Sequence, residues 1–203
     1  EWFLQFKQAR IDGDTENPYY DYYSCATTEG KLNGVTYQKI AGVDCWYECN
    51  FSGDMPELNY DNPEVKQAVL DLAKYYLDLG VDGFRFDAVK YIYYGDTPRS
   101  VEFWDWYMQQ LKAIKPDIYC VGECWSGESE ILQYQTAMNC FNFAMSQAEG
   151  MAANTAKNAS VQKFTTYVQN KRITAACELL ASTDKKIIDI IEMVGYHDVK
   201  HFN

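Results

Sequence analysis

Leu79-Gly80-Val81-Asp82-Gly83-Phe84-Arg85-Phe86-Asp87-Ala88-Val89-Lys90 reads as a helix-stopping glycine, a two-residue step and a short strand that runs out in an aspartate. Along the strand, side chains alternate in direction, so Phe84, Phe86 and Ala88 share one face and Arg85, Asp87 and Val89 the other. A helix can cover the first face. The second sets an arginine beside an acid. Either charge buried alone is costly, but the pair can hold each other ionised.

The flanking chain fits a repeating helix–strand unit. Upstream, Asp61-Asn62-Pro63-Glu64 combines an Asx cap, proline at the first helical position and an acid near the positive end of the helix dipole. Val65, Ala68, Val69, Leu72, Ala73, Tyr76 and Leu77 then form one apolar stripe, and Gly80 ends it, because glycine takes the left-handed C-terminal conformation cheaply. Downstream, Thr97-Pro98 opens a second helix with the stripe Val101, Trp104, Met108, Leu111 and Ile114, broken at Lys115-Pro116-Asp117. Ile118-Tyr119-Cys120-Val121-Gly122 is a second strand, ended by Glu123. Helix and strand alternating at this length predict an α/β fold with a parallel sheet.

Asp87 and Glu123 stand 36 positions apart, one strand–helix unit. Neighbouring parallel strands lie about 4.8 Å apart, so acids at equivalent depth on adjacent strand ends sit roughly 5 Å from each other. A carboxyl pair separated by about 5–5.5 Å is the arrangement of retaining glycosidases, in which one acid attacks the sugar carbon and the other protonates the leaving oxygen. On spacing alone a second reading stands beside it, that each acid merely caps the next helix.

At these residues the chain resembles the α-amylase family, glycoside hydrolase family 13. The family's block G-F-R-x-D-A-x-K-H stands here as Gly83 to Tyr91, its strand ending in a glutamate as Val121-Gly122-Glu123-Cys124-Trp125, and its short block M-P-x-L-N as Met55 to Asn59. The resemblance runs from Glu1 to about Asn170. It implies part of a (β/α)8 TIM barrel, about strands four to six, with strand seven drawn in if the apolar run Ile187 to Val194 counts. It also implies a small inserted irregular or β domain after strand three. Residues 1–60 are then the remainder of that loop and the inserted domain, and 61–203 belong to the barrel, with the pattern fading after about 171.

Position by position, the resemblance implies Asp87 as nucleophile, Glu123 as general acid and then base, and Arg85 as the group that holds Asp87 charged. Lys90, Tyr91 and Trp125 line the substrate. The third acid of the family has one candidate, Asp198 with His197, 75 positions after Glu123. Its alternative is a frayed terminus. Many members bind calcium near the histidine after the lysine; that histidine is Tyr91 here, which argues against calcium, and no cofactor is assigned. The implied activity is hydrolysis of α-glucosidic bonds in starch-type glucans or maltooligosaccharides through a covalent glycosyl-aspartate. The alternative is an inactive barrel fragment that at most binds carbohydrate.

Composition bounds the rest. The chain has 203 residues, 47% hydrophobic, enough for a sizeable core, whereas a whole eight-stranded barrel typically needs about 250. An internal or truncated piece of a longer protein is therefore expected. Acids outnumber Lys plus Arg by 29 to 18, which argues against a nucleic-acid backbone or anionic membrane as partner. Aromatics reach 16%, and their faces suit both core packing and sugar rings. Seven cysteines with no four-ligand spacing and two histidines near the C-terminus argue against zinc. Cys45 with Cys49, or either with Cys25, is a candidate loop disulfide if the protein is secreted, and an extracellular or cell-surface location is the expectation.

In chain order, Trp2 to Arg10 predicts a short helix, Val35 to Lys39 a strand after the turn dipeptide Asn33-Gly34, and Ser126 to Thr136 a helix. Met138 to Phe143 reads as a strand, Gln147 to Asn158 as a loop or weak helix, and Val161 to Val168 and Ile173 to Leu180 as helices.

Overall fold

The computed structural model describes residues 1–146, 151–158 and 161–196. They fall into two compact units, 1–142 and 143–203.

The first unit opens with helix α1 (Trp2–Asp12), ended by Gly13 in the left-handed conformation. Three short strands come next, β1 (Cys25–Ala26), β2 (Tyr37–Lys39) and β3 (Trp46–Glu48), in an antiparallel sheet with β3 in the middle. Phe6 of α1 packs with Tyr22, Tyr23, Ile40, Cys45, Tyr47 and Cys49 into one core, and Val65 of the next helix completes it. That shared residue ties the irregular segment to the helix–strand region. All seven cysteines carry free thiols. Cys25 and Cys45 are hydrogen-bonded to each other, which lowers the Cys25 thiol to about 7.

The helix predicted from Asp61-Asn62-Pro63 is α2 (Pro63–Asp78). Asn62 caps it by accepting the Glu64 N–H at 2.8 Å. It ends as expected: Gly80 has φ 95°, its N–H reaches Leu77 O, and the Val81 N–H reaches Tyr76 O, the paired bonds of a glycine-closed helix end. Strand β4 (Gly83–Phe86), helix α3 (Thr97–Ile114), strand β5 (Tyr119–Gly122), helix α4 (Glu128–Tyr134) and strand β6 (Asn139–Cys140) then alternate. The three strands form a parallel sheet in the order β4-β5-β6. This is the α/β alternation with a parallel sheet that the sequence predicts.

Two apolar stripes differ from expectation. On α3 the buried residues include Phe103 and Tyr107 as well as Trp104, Met108 and Leu111, while Ile114 is exposed. The aromatic side chains widen the stripe because Phe86 of β4 packs against Trp104 and Tyr107 (ring centroids 4.8 and 5.8 Å). On α2 only Val65 and Ala73 are buried, and Leu72 and Tyr76 are exposed. Val69, Leu72, Ala73 and Tyr76 face Phe84 and Phe86 across an apolar cavity of about 280 Å³, so the stripe lines a space.

The strand expected over Met138 to Phe143 is shorter. Only Asn139–Cys140 pairs, and Phe143 opens helix α5 (Phe143–Ser146). In the second unit α5 is followed by α6 (Met151–Asn158), α7 (Val161–Ser182) and α8 (Ile187–Met193). Helix α7 runs without a break through Lys171 and joins the two helices predicted on either side of it. Ala176, Ile190, Ile191 and Tyr196 are buried in this unit.

This packing yields two stability tests. A Cβ on Gly83 would stand 1.7 Å from the Tyr119 carbonyl oxygen, a backbone atom that cannot turn aside. Gly83→Ala should cost about 3 kcal/mol in urea denaturation, whereas Gly127→Ala, with nothing within 4 Å of the new Cβ, should be nearly neutral. Separately, burial raises the Glu57 carboxyl to about 7, against about 4.3 in an unfolded chain. The folded state therefore holds the proton more tightly, and stability that is complete below about 4.3 is lost as pH climbs to about 7. Glu57→Gln should gain about 1–2 kcal/mol at pH 8, allowing for solvent screening, and nothing at pH 4. Melts at the two pH values check this.

Candidate active site

The site grows out of strand register. In the β4–β5 ladder Arg85 lies opposite Val121 and Phe86 opposite Gly122. The pairing continues past the strand ends: the Glu123 N–H donates to Phe86 O at 2.8 Å, and the Val89 N–H donates to Glu123 O at 3.1 Å. Asp87 and Glu123 thus leave adjacent strands at the same level, as equal spacing within each strand–helix unit requires.

Arg85 sits between them. One guanidinium nitrogen is 2.6 Å from Asp87 Oδ1 and the other 2.8 Å from Glu123 Oε1. The three side chains differ in access to solvent, with Asp87 74% exposed, Arg85 46% and Glu123 19%. A hydrogen bond with the Glu123 side chain, and then the hydrogen bond and charge of Arg85, hold the Asp87 carboxyl below its usual range against the opposing effect of burial. The alternation read from the sequence is observed within β4, where Phe84 and Phe86 lie together on the helix side (ring centroids 5.9 Å) and Arg85 turns to the other face. It stops there: the strand ends at Phe86, Ala88 turns left-handed, and Val89 is fully buried instead of sharing the open face of Arg85 and Asp87.

After Asp87 the chain bends sharply. Ala88 takes φ 47°, ψ 47°, and leads into a short 3-10 turn, Val89–Tyr91. Lys90, expected to line the substrate, donates from Nζ to Trp125 O at 2.9 Å and to Ser126 Oγ at 3.1 Å. It therefore ties the turn after β4 to the loop after β5, and Trp125 stands 63% exposed beside it. Tyr91 stacks on Tyr94 (centroids 4.9 Å, 17° between planes) and meets Phe51 at 4.2 Å.

Phe51 and Tyr94 carry no mark of their own in the sequence. The aromatic richness of the chain is the only signal for them, and it does not distinguish a wall from a core. Next to Lys90 lies a cavity of about 600 Å³, lined among others by Asn33, Tyr94, Asp96, Thr97 and Glu130. Asp198 and His197 lie outside the described residues. Among the described residues no group of three or more His, Cys, Asp or Glu side chains is placed to hold a metal ion. No helix among them is long and apolar enough to cross a membrane.

The chain is similar to known proteins. Alpha-amylase 3 of Dictyoglomus thermophilum is 41% identical over 132 residues, which cover 64% of this chain and 26% of that protein. The 4-alpha-glucanotransferase of Thermotoga maritima is 37% identical over 122 residues, covering 56% of this chain and 25% of the relative. The chain thus spans about a quarter of the length of these curated relatives. Among solved structures, Eubacterium rectale Amy13B superposes with a TM-score of 0.73 at 28% identity, over 91% of this chain and 37% of that one. The family profile "Alpha amylase, catalytic domain" matches residues 1–202, and on that match the chain belongs to the α-amylase family.

Proposed function

We propose that this chain carries the acid pair of a retaining glycoside hydrolase acting on α-glucosidic bonds of starch-type glucans or maltooligosaccharides. The observation that supports it most is the Arg85 bridge, which brings two acids from adjacent strand ends onto one cation. Acids leaving adjacent strands, which run about 4.8 Å apart, stand closer than the roughly 6.5–9.5 Å at which an inverting pair admits its water.

The roles rest on the electrostatics. Asp87, held below its usual range, is the carboxylate that attacks the anomeric carbon. Glu123, mostly covered and on the neighbouring strand end, is the acid that gives a proton to the departing glycosidic oxygen. It then takes a proton from the water that releases the sugar from Asp87. Arg85 keeps both carboxyls facing the same point. The exposed face of Trp125 and the Phe51–Tyr91–Tyr94 wall offer apolar surfaces to sugar rings. The cavity beside Lys90 offers room for glucosyl units on the side from which Lys90 reaches the loop after Glu123. Residues 1–60 then act as the inserted domain that supplies Phe51 and the Asn33 rim.

A second reading has its own support. Asp87 is largely open to solvent while the aromatic surfaces are already assembled, as in a piece that binds glucan without turning it over. One experiment separates the two. The chain is incubated with maltooligosaccharide and the first product followed by proton NMR. Turnover with retained α-configuration, abolished in Asp87→Ala and Glu123→Gln, supports the hydrolase. Sugar-dependent shifts without product support binding alone. Near wild-type rates in either variant refute the roles given to the two acids.

A further inference from the structure

Val89, beside the acid pair, is held through both its backbone groups and its side chain. Its N–H is bonded to Glu123 O, and its carbonyl accepts the indole N–H of Trp104 at 2.8 Å. Its side chain is fully buried. The space it fills exists because residue 122 is a glycine: a Cβ there would stand 2.9 Å from Val89 Cγ1 and 2.8 Å from Met138 Sδ. Gly122 directly precedes Glu123, and Val89 lies two residues beyond Asp87, across Ala88.

We infer that Val89, seated in the space left by Gly122, is a positioning residue that sets how far the Asp87 carboxylate stands from Arg85 and Glu123. The two residues that would yield to a Cβ at position 122 are unequal. Methionine is unbranched and its sulfur can swing away. Valine is β-branched and stiff at χ1, and its backbone is bonded at both ends, so displacing it moves the peptide chain. The displacement passes to Ala88, already at φ 47°, and from there to Asp87. Met138, just before β6, closes the far side. Helix α3 closes the floor through Trp104, whose ring is also packed on Phe86. The turn that carries the proposed nucleophile is thus fixed by groups from β5, α3 and the approach to β6 at once.

The importance of this for catalysis rests on the reading of Asp87 as nucleophile, but its test does not. The chain is labelled with ¹³C at aspartate Cγ, Asp87 is assigned by the signal lost in Asp87→Asn, and its carboxyl is titrated by NMR. In Gly122→Ala the Asp87 midpoint should move up toward the ordinary aspartate value of about 3.9, because the carboxylate is carried away from Glu123 and Arg85. Gly122→Ala combined with Val89→Ala, which reopens the space, should bring the midpoint back down. A fall in melting temperature in Gly122→Ala with the Asp87 titration unchanged overturns the inference, since a purely structural role predicts that result. Failure of the double variant to restore the midpoint overturns it as well. If Gly122→Ala does not fold, Val89→Ala alone decides: the seat is emptied and the midpoint should rise, and an unmoved midpoint refutes the proposal. The readout is ionisation rather than turnover, so failure of the hydrolase reading would be seen in the product assay and would leave this result standing.

Discussion

The backbone contact between Gly83 and Tyr119 is the constraint from which the rest of the sheet takes its order. The two residues are register partners, and the glycine lets the strands meet at a point where any side chain would strike a carbonyl. A parallel ladder has evenly spaced, slanted bonds, so once one pair is set, each later pair is set too. Arg85 falls beside Val121, Phe86 beside Gly122, and the two acids come level. A slip of one residue would turn Arg85 and Asp87 to the face where Phe86 meets α3 and bury two charges among aromatic rings, a loss of several kcal/mol. The register is therefore protected from both sides, by sterics at Gly83 and by the cost of burying charge at Arg85.

One cation shared by two carboxylates is an unequal arrangement. Glu123 is four-fifths covered while Asp87 stands mostly in water. An exposed pair in water is worth little to stability, so the Arg85–Asp87 contact does not hold the fold together. Its effect is on ionisation and direction: Asp87 stays charged and aimed. The covered acid, by contrast, meets the arginine with little contact with bulk water. Two acids with different surroundings on one arginine are what the proposed division into nucleophile and proton donor calls for.

The helix–strand order, the faces of β4 and the level placement of Asp87 and Glu123 are legible in the sequence because each depends on local periodicity or on equal spacing. The closing turn at Gly80 is legible for the same reason, since it needs only a glycine at the end of a stripe. The illegible part depends on contacts between distant segments. Phe51 meets Tyr91 from forty positions away, and nothing in either neighbourhood announces the other. Lys90 illustrates the limit differently. Its place in the block is plain, but its ammonium is spent on Trp125 O and Ser126 Oγ, a partnership set by the loop after β5 and invisible in its own flanks. Strand β6 is shorter than its sequence suggests because Phe141 and Phe143 look like strand residues. Apolar identity cannot tell a strand from the start of a helix in so short a run.

Ala88 shows how such partnerships bear on the site. Among the described residues it is the one non-glycine at positive φ, a conformation that costs an L-residue roughly 1–2 kcal/mol. Glycine would remove that cost but would add freedom to the unfolded chain and to the turn itself. The bend persists because the turn beyond it is over-determined: Val89 is bonded through both backbone groups and buried, and the Ala88 carbonyl accepts the Tyr91 N–H at 2.9 Å. Backbone strain of this kind survives where surrounding structure fixes both sides of it. Here one side is the sheet edge carrying Asp87 and the other is the turn that presents Lys90 and Tyr91. A straight continuation of β4 would send Val89 away from Gly122 and break its bond to Glu123. The strained alanine is thus the point at which the sheet stops extending and the turn that carries Lys90 and Tyr91 begins.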